Sequence, residues 1–239
     1  MNKSSSFFMS LAALVLSVAA LCLCLFCCHK KGNSVEEALQ AKPEMVIEAM
    51  QKYEQNMREQ AMEESKKLVA AHIDELNSDA ATPFVGPENA KITIVEFFDY
   101  SCGYCHRLFP ELKAVMDANP DVKFVFKPLT FLGDASLAAG KASLAAAKQG
   151  KFIEMHNALF GSSERLTAEK IRAIAEAQGL DMSKFDADVA SDEIAALIKK
   201  TSDLAAAIQV NGVPALFVNG GLLQTLDGKD IQAAINANK

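Results

Sequence analysis

The hydrophobic pattern of the chain opens with an apolar run that carries no charge, from residue 7 to residue 28. A run of this length can cross a bilayer as a helix, and it also contains the apolar stretch and small residues of a signal peptide, with a cut site at 17–19. We therefore expect residues 1–31 to be either a cleaved signal peptide or a membrane anchor at 7–28, with lipidation at a cysteine as a third route. Each places the rest of the chain in the periplasm or cell envelope.

A narrow apolar stripe runs along the next segment, residues 35–76, at the spacing of three and four residues that is typical of an α-helix. Its members are Val46, Met50, Tyr53, Met57, Ala61, Leu68, Ile73 and Leu76. Two interpretations stay open: the helix packs on its own domain, or it associates with another copy, which the narrowness of the stripe favours. We predict that residues 32–82 form a helical dimerisation segment and a linker, with a homodimer held through 35–76.

Strand and helix patterns alternate from residue 83 to residue 239. Strands rich in β-branched and aromatic residues are predicted at 91–98, 122–127 and 214–218, and a turn at 219–220 joins the last of them to a partner at 222–226. Residues 135–208 contain almost only helical signals, and a final helix is predicted at 229–236. This order indicates an α/β domain with one small mixed sheet and a helical insert.

The charge of the chain argues against one class of partner. The net charge is −6, and removing residues 1–31 leaves 21 basic and 30 acidic residues, a net of −9. Nucleic acid attracts proteins through a basic surface, which this composition lacks. We expect no nucleic-acid partner.

Two cysteines, Cys102 and Cys105, lie outside the apolar N-terminal run, and a pair this close in sequence cannot staple a fold. They lie between a predicted strand and a predicted helix, where the helix dipole stabilises a thiolate. We expect Cys102 to be an exposed nucleophile with its pKa lowered into the range of about 3.5–7.5, and Cys105, one turn deeper, to be the buried resolving thiol.

Two other classes of function use the same cysteines differently. A metal-binding envelope protein would hold copper or zinc with them, although zinc needs four ligands and neither His72 nor His156 has ligand spacing. A structural envelope protein would carry them as an inert pair.

The segments FFDYSCGYCHRLFP and GVPALFVNG together resemble the DsbA-like branch of the thioredoxin superfamily, over residues 83–239. The resemblance implies a thioredoxin-like fold with a helical insertion at 135–208. It also implies that Pro214 is a cis-proline beside the redox pair, and that Val213 offers its backbone to an extended client peptide.

Glu96 lies in the middle of an apolar strand and has two interpretations. Alternation along the strand would turn it outward. The resemblance implies instead a buried carboxylate with a raised pKa that relays protons to and from Cys105. Lys127 is a candidate partner for this acid. His106 is either a modulator of the Cys102 thiolate or a solvated helix residue.

The residues around the two thiols resemble those of two different kinds of enzyme. Gly103 and Tyr104 resemble the dipeptide of DsbC-like isomerases, whereas Val213 before the proline is similar to DsbA-like oxidases. With the association helix, the chain resembles exported DsbA-like proteins that have an N-terminal dimerisation segment. This implies a protein disulfide oxidoreductase/isomerase with no cofactor beyond the Cys102–Cys105 disulfide. Its partners would be unfolded or misoxidised exported proteins and a membrane redox partner that resets the pair.

Overall fold

The computed structural model describes residues 17–25, 35, 39–77 and 81–239. Residues 17–25 are helical, but most of the apolar run at 7–28 lies outside the described residues. Within the described part of the chain, no helix is both long enough and apolar enough to cross a membrane. The choice between signal peptide, anchor and lipidation therefore stays a prediction.

The chain divides into two compact units, the first ending at Ala61 and the second beginning at Met62. Helix α1 (Glu44–Ala71) begins in the first unit and continues into the second. All described residues from 39 to 61 are exposed, including the predicted stripe residues Met50 and Tyr53, at 59% and 66%. The helical prediction is confirmed, and this part of the stripe is unburied.

The C-terminal end of the predicted segment 35–76, by contrast, contains buried residues. After α1, helix α2 (Ile73–Asn77) follows within the second unit. Val69 and Leu76 are buried in a cluster with Phe97 and Phe217. Leu76 therefore packs in its own domain, and its assignment to the association stripe is wrong. The compact domain begins well before residue 83, the predicted start, because these apolar side chains cover one face of the sheet.

One five-stranded sheet forms the centre of the second unit, with strands in the order β1-β3-β2-β4-β5. The strands are β1 (Phe84–Val85), β2 (Thr93–Phe98), β3 (Lys123–Pro128), β4 (Ala215–Val218) and β5 (Gly221–Leu222). The β2–β3 pair is parallel and the other pairs are antiparallel. The three long predicted strands and the hairpin are confirmed, with β5 shorter than expected, whereas β1 was not predicted.

Helices cover both faces of the sheet. Helix α3 (Gly103–Ala118) connects β2 to β3, and α9 (Gly228–Asn238) ends the chain. The predicted insert consists of α4 (Asp134–Lys148), α5 (Phe152–Phe160), α6 (Ala168–Ala177), α7 (Met182–Val189) and α8 (Asp192–Ala207). Thr167, Asp181 and Ser191 cap three of these helices through their side chains. The thioredoxin-like fold class with a helical insert is confirmed.

Candidate redox site

Cys102 lies at the junction of strand and helix that the sequence predicted. It is the N-cap residue of α3, with an extended backbone, and its N–H donates to the carbonyl of Asp99 at 3.0 Å. Cys105 is one turn further along, and the structure shows both residues as free thiols. This arrangement puts the Cys102 sulfur at the positive end of the helix dipole.

The two thiols differ in exposure, but less than expected. Cys105 is fully buried and Cys102 is 7% exposed. The Cys102 Sγ lies 3.4 Å from the carbonyl oxygen of Val213, and the Val213–Pro214 peptide bond is cis. The loop before β4 therefore helps to cover Cys102, and the expectation of an exposed nucleophile is corrected, because Cys102 is buried.

Asp99 organises the loop that carries Cys102, and it is not among the site residues predicted from the sequence. Its carboxylate is 1% exposed. One oxygen accepts from the N–H of Ser101 at 2.8 Å, and the other accepts from the N–H of Leu132 at 3.3 Å. An aspartate directly after a strand and before a helix is a turn signal that would have revealed it.

Glu96 is buried, as the sharper of its two interpretations required. It is 3% exposed, and its Oε2 has no hydrogen-bond partner among the described residues. Burial raises its pKa to about 8. The neighbours that share its face of β2, Ile94 and Phe98, pack in the same core cluster as Cys105. The alternation of residues along the strand wrongly placed Glu96 outward, because the sheet is covered on both faces.

Lys127 does not face Glu96. In the parallel β2–β3 pair Lys127 is in register with Phe97, whereas Glu96 is in register with Phe126, so the two side chains lie on opposite faces of the sheet. The Lys127 Nζ donates to the carbonyl of Glu75 at 3.0 Å. The predicted Glu96–Lys127 partnership is therefore wrong.

Cys105 is held in its protonated form. Burial raises the pKa of its thiol, and the neighbouring charges of Cys102 and Glu96 raise it further, while a backbone hydrogen bond at Asp99 opposes the shift. A thiol in this setting ionises only if a nearby group accepts its proton.

The other predicted residues of the motif surround the start of α3. The Nε2–H of His106 donates to the carbonyl of Tyr100 at 2.8 Å, which ties the helix to the loop before Cys102. Tyr104 is 68% exposed, and the guanidinium carbon of Arg107 lies 4.2 Å from its ring centroid. Gly103 has open space where a Cβ would be. Modulation of Cys102 by His106 stays a prediction.

A buried pair behind the loop, Tyr100 and His156, was also missed. Each is 2% exposed, and the Tyr100 hydroxyl lies 3.0 Å from His156 Nδ1. The imidazole contacts several aromatic rings, among them Phe98 and Phe160. Burial lowers the pKa of His156 to about 3. No local sequence signal joins two residues so far apart in the chain.

Among the described residues, no group of three or more potential metal ligands is close enough to hold an ion.

Comparison with known proteins places this site in a family. The model of the DSBA-like thioredoxin domain matches residues 93–237, which is more than half of the chain. Bacterial Na(+)/H(+) antiporters of the NhaA type, from Salinispora tropica and Herminiimonas arsenicoxydans, are 34% and 30% identical over 137 and 158 residues. The chain spans only 21% and 25% of their length.

Solved structures match over much more of their length. A thioredoxin-like oxidoreductase from Silicibacter pomeroyi is 34% identical, with a TM-score of 0.64, covering 69% of this chain and 95% of that one. A linker-deletion mutant of ScsC from Proteus mirabilis is 26% identical, with a TM-score of 0.72, covering 85% and 94%. The thiol-disulfide exchange protein alpha-DsbA2 from Wolbachia pipientis is 26% identical, with a TM-score of 0.68, covering 73% and 96%.

Proposed function

The chain belongs to the DsbA-like thioredoxin family, and from this membership we propose that it is an exported protein disulfide oxidoreductase that forms and isomerises disulfides in client proteins. One observation supports the proposal above the others. Cys102 caps the N-terminus of α3 and Cys105 lies in its first turn, with the Cys102 sulfur 3.4 Å from the Val213 carbonyl. A client cysteine that reaches Cys102 meets a sulfur at a helix N-terminus and the backbone of Val213 at the same time.

The proposed reaction is thiol–disulfide exchange through a mixed disulfide. In the oxidised protein, a client thiolate attacks the Cys102 sulfur; a client–Cys102 bond forms, the Cys102–Cys105 bond breaks, and Cys105 leaves as a thiolate. A second client thiolate then displaces Cys102, so the client loses two electrons and the protein gains them. From the reduced protein, Cys102 attacks a wrong client disulfide, which allows reshuffling.

In this proposal, Glu96 donates a proton to Cys105 and accepts one from it. The leaving Cys105 must be protonated inside the core, and in the reverse direction it must lose a proton there. A buried carboxyl with a pKa of about 8 changes its protonation state near neutral pH, so it serves both directions. Its neighbours on the same face of β2, Ile94 and Phe98, pack in the core cluster that contains Cys105, and its charge acts on the Cys105 thiol.

Val213 and Pro214 hold the client beside Cys102. The Val213 carbonyl lies next to the Cys102 sulfur, and we propose that a client chain pairs with the backbone of Val213 as an added strand. Backbone pairing does not depend on client side chains, which suits an enzyme that acts on many unfolded proteins.

The exposed part of α1 extends the proposal to a homodimer. An isomerase benefits from two redox sites that face one client, and apolar side chains such as Met50 and Tyr53 are exposed on this helix. We propose that residues 44–61 associate with a second copy, that the protein works in the periplasm, and that a membrane redox partner resets Cys102 and Cys105. No metal or organic cofactor takes part in this scheme.

The test combines a redox titration with refolding of a scrambled, disulfide-containing client by the full chain. We expect a reversible Cys102–Cys105 couple well above the potential of about −300 mV that marks structural disulfides. Cys102→Ser should abolish refolding, and Cys105→Ser should accumulate client mixed disulfides. Ser183→Ala, at an exposed position of α7 outside the site, is the control and should be fully active. Refolding by Cys102→Ser would refute the proposal, and stoichiometric copper or zinc on the reduced protein would favour the metal-binding alternative.

A further inference from the structure

A cavity of about 360 Å³ opens beside the redox loop, and we name it the Arg165 pocket. Ser101 and His106 line it on the side of the redox loop, Leu132 lines it from the segment between β3 and α4, and Glu164, Arg165 and Leu166 line it from the segment between α5 and α6. Since Ser101 precedes Cys102 and His106 follows Cys105, the pocket borders the segment that carries both thiols. It is therefore within reach of a client chain that is bonded to Cys102.

The charges of the pocket leave one cation available to a ligand. Glu164 forms an ion pair with Lys170 at 2.9 Å. Arg165 forms no ion pair with any carboxylate in the described part of the chain, and its side chain is exposed. The nearby Asp99 is buried, and both of its oxygens accept backbone N–H groups. The lining thus offers an unpaired guanidinium in a chain that is otherwise acidic.

The rest of the lining is partly apolar and can contact the methylene groups of a short side chain. Leu132 is 47% exposed and Leu166 is 8% exposed, so the wall beside Arg165 is partly apolar. The hydroxyl of Ser162 already donates to the carbonyl of Glu164 at 3.2 Å. A ligand with methylene groups and a terminal carboxylate would contact the leucines and pair with the guanidinium.

We propose that the Arg165 pocket binds an acidic side chain of the client, glutamate or aspartate, close to the cysteine that reacts with Cys102. This inference rests on the proposed disulfide exchange and adds a preference to it. The backbone contact at Val213 accepts any sequence, whereas the pocket favours clients that carry a carboxylate beside the reacting cysteine.

The test uses unstructured peptides with two cysteines, which the oxidised full-length protein converts to peptide disulfides. Each peptide is made with glutamate or with glutamine at one of the three positions on either side of the first cysteine. The rate constant for peptide oxidation is measured for each pair, and the Glu/Gln ratio is compared between the wild-type protein and Arg165→Gln. Because both proteins react with the same peptides, the effect of glutamate on peptide thiol acidity cancels.

At one or more positions, we expect the Glu/Gln ratio to fall by about three- to fivefold in Arg165→Gln, as for a partly exposed charge-assisted contact. Arg165→Lys should retain part of the preference. Arg172→Gln is the matched control, because it removes the same charge from an exposed arginine that pairs with Asp186, and its ratio should equal that of the wild type.

An unchanged ratio at all six positions in Arg165→Gln would overturn the proposal, and so would an equal fall in Arg172→Gln, which would indicate a general effect of charge. Failure of the proposed function looks different: the wild-type protein would then oxidise neither the glutamate nor the glutamine peptides. Slower oxidation of both peptide forms by Arg165→Gln, with the ratio preserved, would also count against an acidic-side-chain site.

Discussion

At the scale of single residues, Glu96 makes the folded protein sensitive to pH. Its pKa is raised by burial to about 8 from 4.5, so between these two pH values the folded protein keeps a proton that the unfolded chain releases. The contribution of Glu96 therefore lowers stability as pH rises from 4.5 to 8 and stays constant above that range. At pH 7 the loss is on the order of 3 kcal/mol.

Glu96→Gln should remove this dependence, because the amide is isosteric and does not ionise. We expect the variant to gain stability relative to the wild type as pH rises from 4.5 to 8, measured by urea unfolding at several pH values. The pH profile of thiol exchange should lose its inflection near pH 8. Glu88→Gln, at an exposed loop position, should change neither curve. A Glu96→Gln profile identical to the wild type would remove the case for a proton relay.

His156 is expected to have the opposite effect on the pH dependence of stability. Burial lowers its pKa to about 3 from 6.5, so the unfolded chain binds a proton that the folded protein excludes, and acid weakens the fold between pH 6.5 and 3. His156→Phe fits the surrounding aromatic rings but loses the contact with Tyr100. Relative to the wild type, the variant should gain on the order of 3 kcal/mol between pH 7 and pH 4 in urea unfolding. His72→Gln, at a partly exposed histidine, is the control; an equal gain there would contradict this account.

The sequence predicted the parts of the site that depend on local chemistry. The positions of Cys102 and Cys105 follow from a short motif between a strand and a helix. The Tyr100–His156 contact joins residues 56 positions apart, and the facing of Lys127 depends on its register with Phe97. Neither can be derived without knowing how β3 and the insert pack.

At the scale of elements, the spacing of apolar residues predicted the long helices and strands. It did not predict the short strand β1 or the point in the N-terminal helical segment where burial begins. The helices of the insert have caps and alanine-rich runs, and their existence was predicted. The two-residue strand β1 lies between Pro83 and Gly86, so its sequence is typical of a turn. Only tertiary pairing with β3 makes it a strand. The helical pattern at 35–76 likewise does not reveal where burial begins.

The change from exposed to buried positions along this helical segment gives a further prediction. Leu76 is fully buried against the sheet, so Leu76→Ala should destabilise the protein by about 2–5 kcal/mol, through lost burial and the cavity left behind. Lys52→Ala, at an exposed position on the opposite side of α1 from the stripe, should change stability by less than about 0.5 kcal/mol. Both are measured as shifts of the urea midpoint at constant slope. Equal shifts would show that burial does not differ between the two ends of the segment.

At the scale of the whole molecule, the proposed homodimer separates the two proposed activities, oxidation and isomerisation, that share one redox pair. Oxidation of a simple dithiol needs a single Cys102–Cys105 site, whereas isomerisation requires repeated attack on one client and benefits from a second site nearby. An exposed apolar stripe at the spacing of an α-helix suits pairing with a second copy, because burying it in a helix–helix contact removes apolar surface from water.

The double variant Met50→Glu and Tyr53→Glu places two like charges on this stripe and should prevent the contact, because buried unpaired charges are strongly unfavourable. We expect a monomer by sedimentation, unchanged oxidation of a dithiol peptide, and loss of most activity on a scrambled client. Gln55→Glu, on the opposite side of the helix, adds charge without touching the stripe and should leave the assembly intact. If the double variant became monomeric and still refolded the scrambled client at the wild-type rate, isomerisation would not depend on association. A wild-type protein that is already monomeric would refute the homodimer itself, and isomerisation would then have to proceed from one site.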